Sequence, residues 1–234
     1  ITENISMPNV QKILEIYGVK PFEIGYVGEN DASKMISNSP EMINPNFGYS
    51  TITEKLFDST GVYLYNATKI NLVDDTELEN LKVTKTELLK SSDKAYFTSD
   101  FNSTNFEQPE TQEMLLGVEL DKIVKEENTE TQEQEVTSKL IIYGNNAFVT
   151  DATALIQNYR IPLIGLGDNM DLVLNSVSYL VDKDENITAR KSTSTVTYTA
   201  TQQEHDIVMI IIFTVPALII IIGIIVWIVR KRRK

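Results

Sequence analysis

Leu140-Ile-Ile-Tyr-Gly-Asn-Asn-Ala-Phe-Val149, followed by Gly165-Leu-Gly-Asp-Asn-Met-Asp-Leu-Val-Leu-Asn-Ser-Val-Ser-Tyr-Leu180, decides the fold class. The first stretch is β-branched and aromatic, which favours a buried strand. Gly144-Asn145-Asn146 interrupts it and reads as a turn, because Asn tolerates left-handed backbone. In the second stretch Met170, Val173, Leu174, Val177, Leu180 and Val181 recur at helical spacing behind Asp168 or Asn169 as the cap. The spacing predicts a helix over 170–182 that lays this apolar face on a sheet.

Upstream, Val118, Leu120 and the pair Ile123/Val124 alternate with polar residues, so 117–124 reads as a further strand. The run 125–138 is nearly all Glu, Thr, Gln and Asn and reads as a solvated acidic loop. Val10, Ile13, Leu14 and Tyr17, with Pro8 ahead and Gly18 behind, predict a helix over 8–17. Strands are expected over 19–27, 62–73 and 81–89, and short helices over 31–37, 51–57 and 108–116. Pro40, Pro45 and Gly48 place 30–50 in a long loop.

Downstream, Ile207–Val229 carries no charge, and Arg230, Lys231, Arg232, Arg233 and Lys234 follow at once. A helix of that length, at about 1.5 Å per residue, would cover a bilayer core of about 30 Å. The expectation is one C-terminal transmembrane helix with its basic tail in the cytoplasm. Trp227 would sit at the interface. Thr214, Pro216 and Gly223 would shape packing against a partner helix, or Pro216 would be a tolerated kink in a simple anchor; no GxxxG pair accompanies Gly223. The plasma membrane is the expected location, with the large domain outside. All 33 Asp and Glu but only 16 of the 21 Lys and Arg precede residue 207, so that domain carries −17. Such a charge disfavours nucleic acid. The expected divisions are a domain at 1–187, a Thr-rich juxtamembrane segment at 188–206, the span at 207–229 and the tail at 230–234. Residues 1–30 lack the pattern of a signal peptide, and the chain opens on Ile. It is therefore expected to be the C-terminal part of a longer protein.

Catalytic patterns are scarce. There is no Cys, which excludes disulfides and thiolate chemistry. The single histidine, His205, stands at the expected membrane boundary, far from any nucleophile-base pattern. Asp182-Lys-Asp184-Glu-Asn186 begins like a calcium loop, but Ile187 and Thr193 stand where Gly and Glu are needed. Gly165-Leu-Gly167-Asp168 lacks a third glycine and a Gly-Lys-Ser/Thr, and Asp168 would repel phosphate. Asp74 and Asp75 have no apolar surround that would raise a pKa. Asn4, Asn66, Asn102 and Asn186 open Asn-x-Ser/Thr sequons, as chance allows in an Asn- and Thr-rich chain. No enzyme activity, cofactor or metal is expected.

Three stretches resemble the Gld-type auxiliary component of ABC transport systems, the family named for gliding motility. They are Met7-Pro-Asn-Val-Gln-Lys-Ile-Leu-Glu-Ile-Tyr-Gly18, the Leu140–Val149 stretch with Asp168–Leu180, and Ile187-Thr-Ala-Arg-Lys191 with the Thr-rich run, the proline-containing span and the basic tail. The resemblance implies an extracytoplasmic α/β domain with a glutamine-amidotransferase-like or flavodoxin-like mixed sheet without catalytic residues, and a missing N-terminal half. It implies a non-enzymatic accessory subunit at the bilayer, with a multispanning ABC permease and a separate cytoplasmic ATPase as partners. The alternative class is a bacterial surface adhesin on a membrane anchor, suggested by the Thr-rich run and the acidic loop.

Overall fold

A computed structural model describes residues 8–99, 110–126, 134–156, 159–181, 212–214, 216, 227 and 231. The chain divides into two compact units, 1–192 and 193–234. In the first, the helices are α1 (Pro8–Ile16), α2 (Asp75–Asn80) and α3 (Asn169–Leu180). The strands are β1 (Tyr26–Gly28), β2 (Met42–Ile43), β3 (Asn46–Phe47), β4 (Leu64–Tyr65), β5 (Val83–Lys90), β6 (Tyr96–Thr98), β7 (Leu115–Glu126), β8 (Gln134–Tyr143), β9 (Thr153–Ile156) and β10 (Tyr159–Pro162). Short 3-10 turns occupy Ala32–Lys34, Glu54–Leu56 and Leu163–Gly165.

The main sheet has the order β3-β5-β7-β8, and β1–β6, β2–β4 and β9–β10 form two-stranded pairs. Residues facing each other across a ladder share a face of the sheet. Val118 lies opposite Ile142, Leu120 opposite Leu140 and Lys122 opposite Val83, which defines one face. Leu78 of α2, Val19 and Ile70 are buried there, with Leu14 and Tyr17 from the end of α1 alongside. Glu119 lies opposite Ile141, Asp121 opposite Lys139 and Gly117 opposite Tyr143, which defines the other face. α3 lies over that face: Tyr143 Oη and Ser176 Oγ are 2.7 Å apart, and Lys139 Nζ stands 4.1 Å from the Tyr179 ring centroid. A larger core formed by Ile43, Ile52, Leu56, Leu64, Leu88, Leu116, Phe148 and Leu172 joins α3 to the sheet and the turns before it. Each such side chain contributes about 1.5–3 kcal/mol on burial.

The expected glutamine-amidotransferase-like or flavodoxin-like sheet is corrected here. Every described pairing is antiparallel. Only residues 127–133 separate β7 from β8, and a parallel crossover needs about a dozen residues or more. The acidic run is correspondingly shorter than expected as a loop, because β7 continues to Glu126 and β8 begins at Gln134. The expected helix at 108–116 does not form within 110–116, where β7 begins at Leu115. The strands expected over 19–27 and 62–73 contract to β1 and β4.

The expected single C-terminal span, and the plasma-membrane placement drawn from it, are also corrected. Among the described residues no helix is long and apolar enough to cross a membrane. α3, with 12 residues, is the longest helix described, about 18 Å at 1.5 Å per residue against a core of about 30 Å. Of 207–229, only 212–214, 216 and 227 are described. The Thr-rich run 188–206, His205, the calcium-like run from Asp182 and the sequons at Asn4, Asn102 and Asn186 lie outside the described residues.

Candidate functional site

α3 is held to the fold by polar contacts. The Asp168 side chain does not cap the helix; its Oδ2 accepts from Gly61 N at 2.8 Å. That contact needs glycines on both sides. Gly167 has φ +56°, and a Cβ there would lie 2.2 Å from the Gly61 carbonyl oxygen. The run that resembled a phosphate loop is therefore a clamp between two chain segments, with Asp168 spent on the backbone of Gly61. Asn169, fully buried, accepts from Tyr63 N at 2.8 Å and donates to Tyr63 O at 2.9 Å and Leu163 O at 2.7 Å. Asn175 donates to Ile52 O at 3.1 Å, and Ser176 Oγ donates to Leu172 O at 2.7 Å.

Beneath α3 the sheet contributes a polar strip. Glu119 is 5% exposed, and burial raises its pKa above the ordinary carboxylate value. A hydrogen bond with Tyr179 opposes that shift, the Asp121 charge adds to it, and Lys139 opposes it. Asp121 is also raised by burial, with Lys139 partly compensating, and its Oδ1 has no hydrogen-bond partner among the described residues. Burial pushes the Tyr143 hydroxyl far above its usual range, so it is neutral at physiological pH. These groups were not singled out by the sequence. Their signal was the Glu119/Asp121 alternation inside 117–124, which by itself reads as a solvent-facing edge.

The outward side of α3 is apolar. Leu174, Val177, Leu180 and Val181 are exposed at 44, 52, 42 and 54%. The apolar periodicity of 170–182 forms a stripe as expected, but Leu174, Val177, Leu180 and Val181 of it face away from the core, while Val173 packs against it. Leu172, Asn175 and Ser176 are buried instead. The single charged residue of α3, Asp171, is buried as well.

The sequence-predicted residues near the C-terminus fall in the second unit. Thr214, Pro216, Trp227 and Lys231 are helical and exposed. Lys231 Nζ stands 5.0 Å from the Trp227 ring centroid, a cation–π pair at i,i+4. Gly223, Arg230, Arg232, Arg233 and Lys234 lie outside the described residues. Asp74 and Asp75 are structural: Asp74 Oδ1 caps α2 by accepting from Glu77 N at 2.9 Å, and Asp75 pairs with Lys85 at 2.8 Å. No group of three or more His, Cys, Asp or Glu side chains suited to a metal occurs among the described residues.

The chain matches no family model, no curated protein and no solved structure. The resemblance to the Gld-type family therefore rests on the quoted motifs alone.

Proposed function

We propose that this chain is a non-enzymatic accessory component of an ABC-type transport assembly, and that α3 is its docking element. The observation that carries the docking role is the reversed amphipathicity of α3. Leu174, Val177 and Val181 lie at spacings of three and four, which is the repeat of a helix–helix seam. No charge on the helix faces outward, so a seam there would be dry. The occupant that fits is an aliphatic helix of the permease expected from the resemblance, with ATP hydrolysis left to a separate chain. The covered position of Glu119 favours a structural role for that carboxylate over one in contact with a substrate.

Co-purification of the full chain with a candidate permease tests this reading. Val177→Lys and Leu174→Glu are expected to abolish capture while leaving unfolding within about 0.5 kcal/mol of the parent, as surface substitutions usually do. Undiminished capture by both folded variants would overturn the docking role. Capture of no permease by the parent chain would overturn the transport assignment.

A further inference from the structure

A cleft of about 240 Å³ opens between α1 and the turn that follows β8. Val10 and Leu14 of α1, Phe22 and Ile142 form apolar walls, and Asn66, Asn145 and Asn146 supply carboxamides. Among the described residues no Asp, Glu, Lys or Arg lines it, although 23% of the chain is charged. The larger cleft, about 530 Å³, differs in kind, because its cations and anions neutralise one another, as in the Lys69–Glu23 pair at 2.9 Å.

The wall of the small cleft is rigidly built. Thr68 N donates to Gly144 O at 2.6 Å, and a Cβ on Gly144 would lie 2.0 Å from the Thr68 carbonyl oxygen. Asn145 is committed to the fold: its Oδ1 accepts from Ala147 N and Phe148 N, and its Nδ2 donates to Tyr65 O. Asn66 and Asn146 are different. Among the described residues their carboxamides are not taken up in side-chain hydrogen bonds. Asn66 is held at φ +53°, a left-handed conformation that Asn tolerates better than most side-chain-bearing residues. Thr68, 5% exposed, keeps a buried hydroxyl with no partner among the described residues. Among the described residues, folding thus leaves one buried hydroxyl, that of Thr68, and two carboxamides, half-buried Asn66 and exposed Asn146, unpaired around one apolar cleft. A buried polar group without a partner is uncommon and costly, and the Thr68 hydroxyl is the group of the three to which that cost applies.

We infer that this cleft binds an uncharged amphipathic small molecule, with an apolar ring or branched chain between α1 and Ile142 and an amide or hydroxyl group among Asn66, Thr68 and Asn146. The carboxamides both donate and accept, so they match a neutral amide or alcohol. An ionised ligand would lose its hydration against walls that offer no counter-charge. The inference is independent of the transport reading, because the cleft and the outward face of α3 are built from different residues.

Phenylacetamide is the probe, with phenylacetate as its anionic near-isostere, and both are titrated into the full chain by calorimetry and ligand-observed NMR. Phenylacetamide is expected to bind, and phenylacetate to bind about tenfold more weakly or worse, since a carboxylate would be desolvated without a partner. Val10→Trp, which narrows the mouth from an exposed helix position, is expected to weaken phenylacetamide by about tenfold. Asn146→Ala, at an exposed turn, is expected to weaken it by about threefold, the effect of one modest hydrogen bond. Thermal unfolding of both variants establishes that they are folded. Equal binding of the two probes, no binding of phenylacetamide, or unaltered binding in a folded Val10→Trp chain would overturn the inference.

Discussion

Two buried carboxylates show how residue-level environment divides structural roles. Glu29, fully buried, accepts from Asn30 N, Asp31 N, Ser92 N and Ser92 Oγ, so four donors meet its carboxyl oxygens. Glu119 is buried mainly against burial's own penalty, and its raised pKa sets a direction for stability. Between its ordinary value of 4.5 and the higher folded value, the native state holds more protons than the unfolded chain. Stability from this group is therefore full below that window and falls as pH rises through it. Glu119→Gln is expected to raise the Tm at neutral pH and leave it nearly unchanged at pH about 4, as thermal unfolding at the two pH values will show. An unchanged difference between the two pH values would count against the assignment. Asn169→Ala strands the Tyr63 and Leu163 backbone groups and is expected to cost about 3 kcal/mol in denaturant unfolding. Neither Glu29 nor Asn169 advertises itself in the sequence, because a polar residue's burial depends on donors brought from elsewhere in the chain.

Elements were legible where their signals were local. The limits of α1 follow from Pro8 and Gly18, and those of α3 from the Asp168-Asn169 start, because caps and periodicity act within a few residues. α2 escaped notice because its six residues hold one buried apolar side chain, Leu78, and an acidic surface. Its stability depends on the Asp74 cap. Asp74→Ala is expected to cost about 1 kcal/mol, and Lys85→Ala, which breaks an exposed pair, less than about 0.5 kcal/mol, both read from denaturant midpoints. The rotation of α3 was not legible. A hydrophobic stripe names a face that avoids water, and either the core or a partner protein satisfies it.

For the whole molecule, the antiparallel sheet dictates which regions open last. β7 pairs on both sides, while β8 pairs only with β7 in the described sheet. Amide exchange is expected to be slowest in Leu116–Leu120 and measurably faster at alternate amides of β8. Equal protection across β8 would indicate a further strand at that edge. Leu120→Ala, in a fully buried position, is expected to cost about 3 kcal/mol by leaving a cavity beneath α2.

Local order was written in the chain itself: a helix behind Pro8, a strand near 83–90, the apolar parts of β7 and β8 at 117–124 and 140–143, a turn at Gly144-Asn145-Asn146 and a helix behind Asp168. Nearest-neighbour sterics, capping and side-chain period suffice for these. Tertiary structure alone decided that β7 and β8 run antiparallel, that Asp168 reaches Gly61, and that α3 turns its aliphatic side outward. Each of these depends on groups distant in sequence finding one another, and the free energy of such meetings is set by the assembled fold.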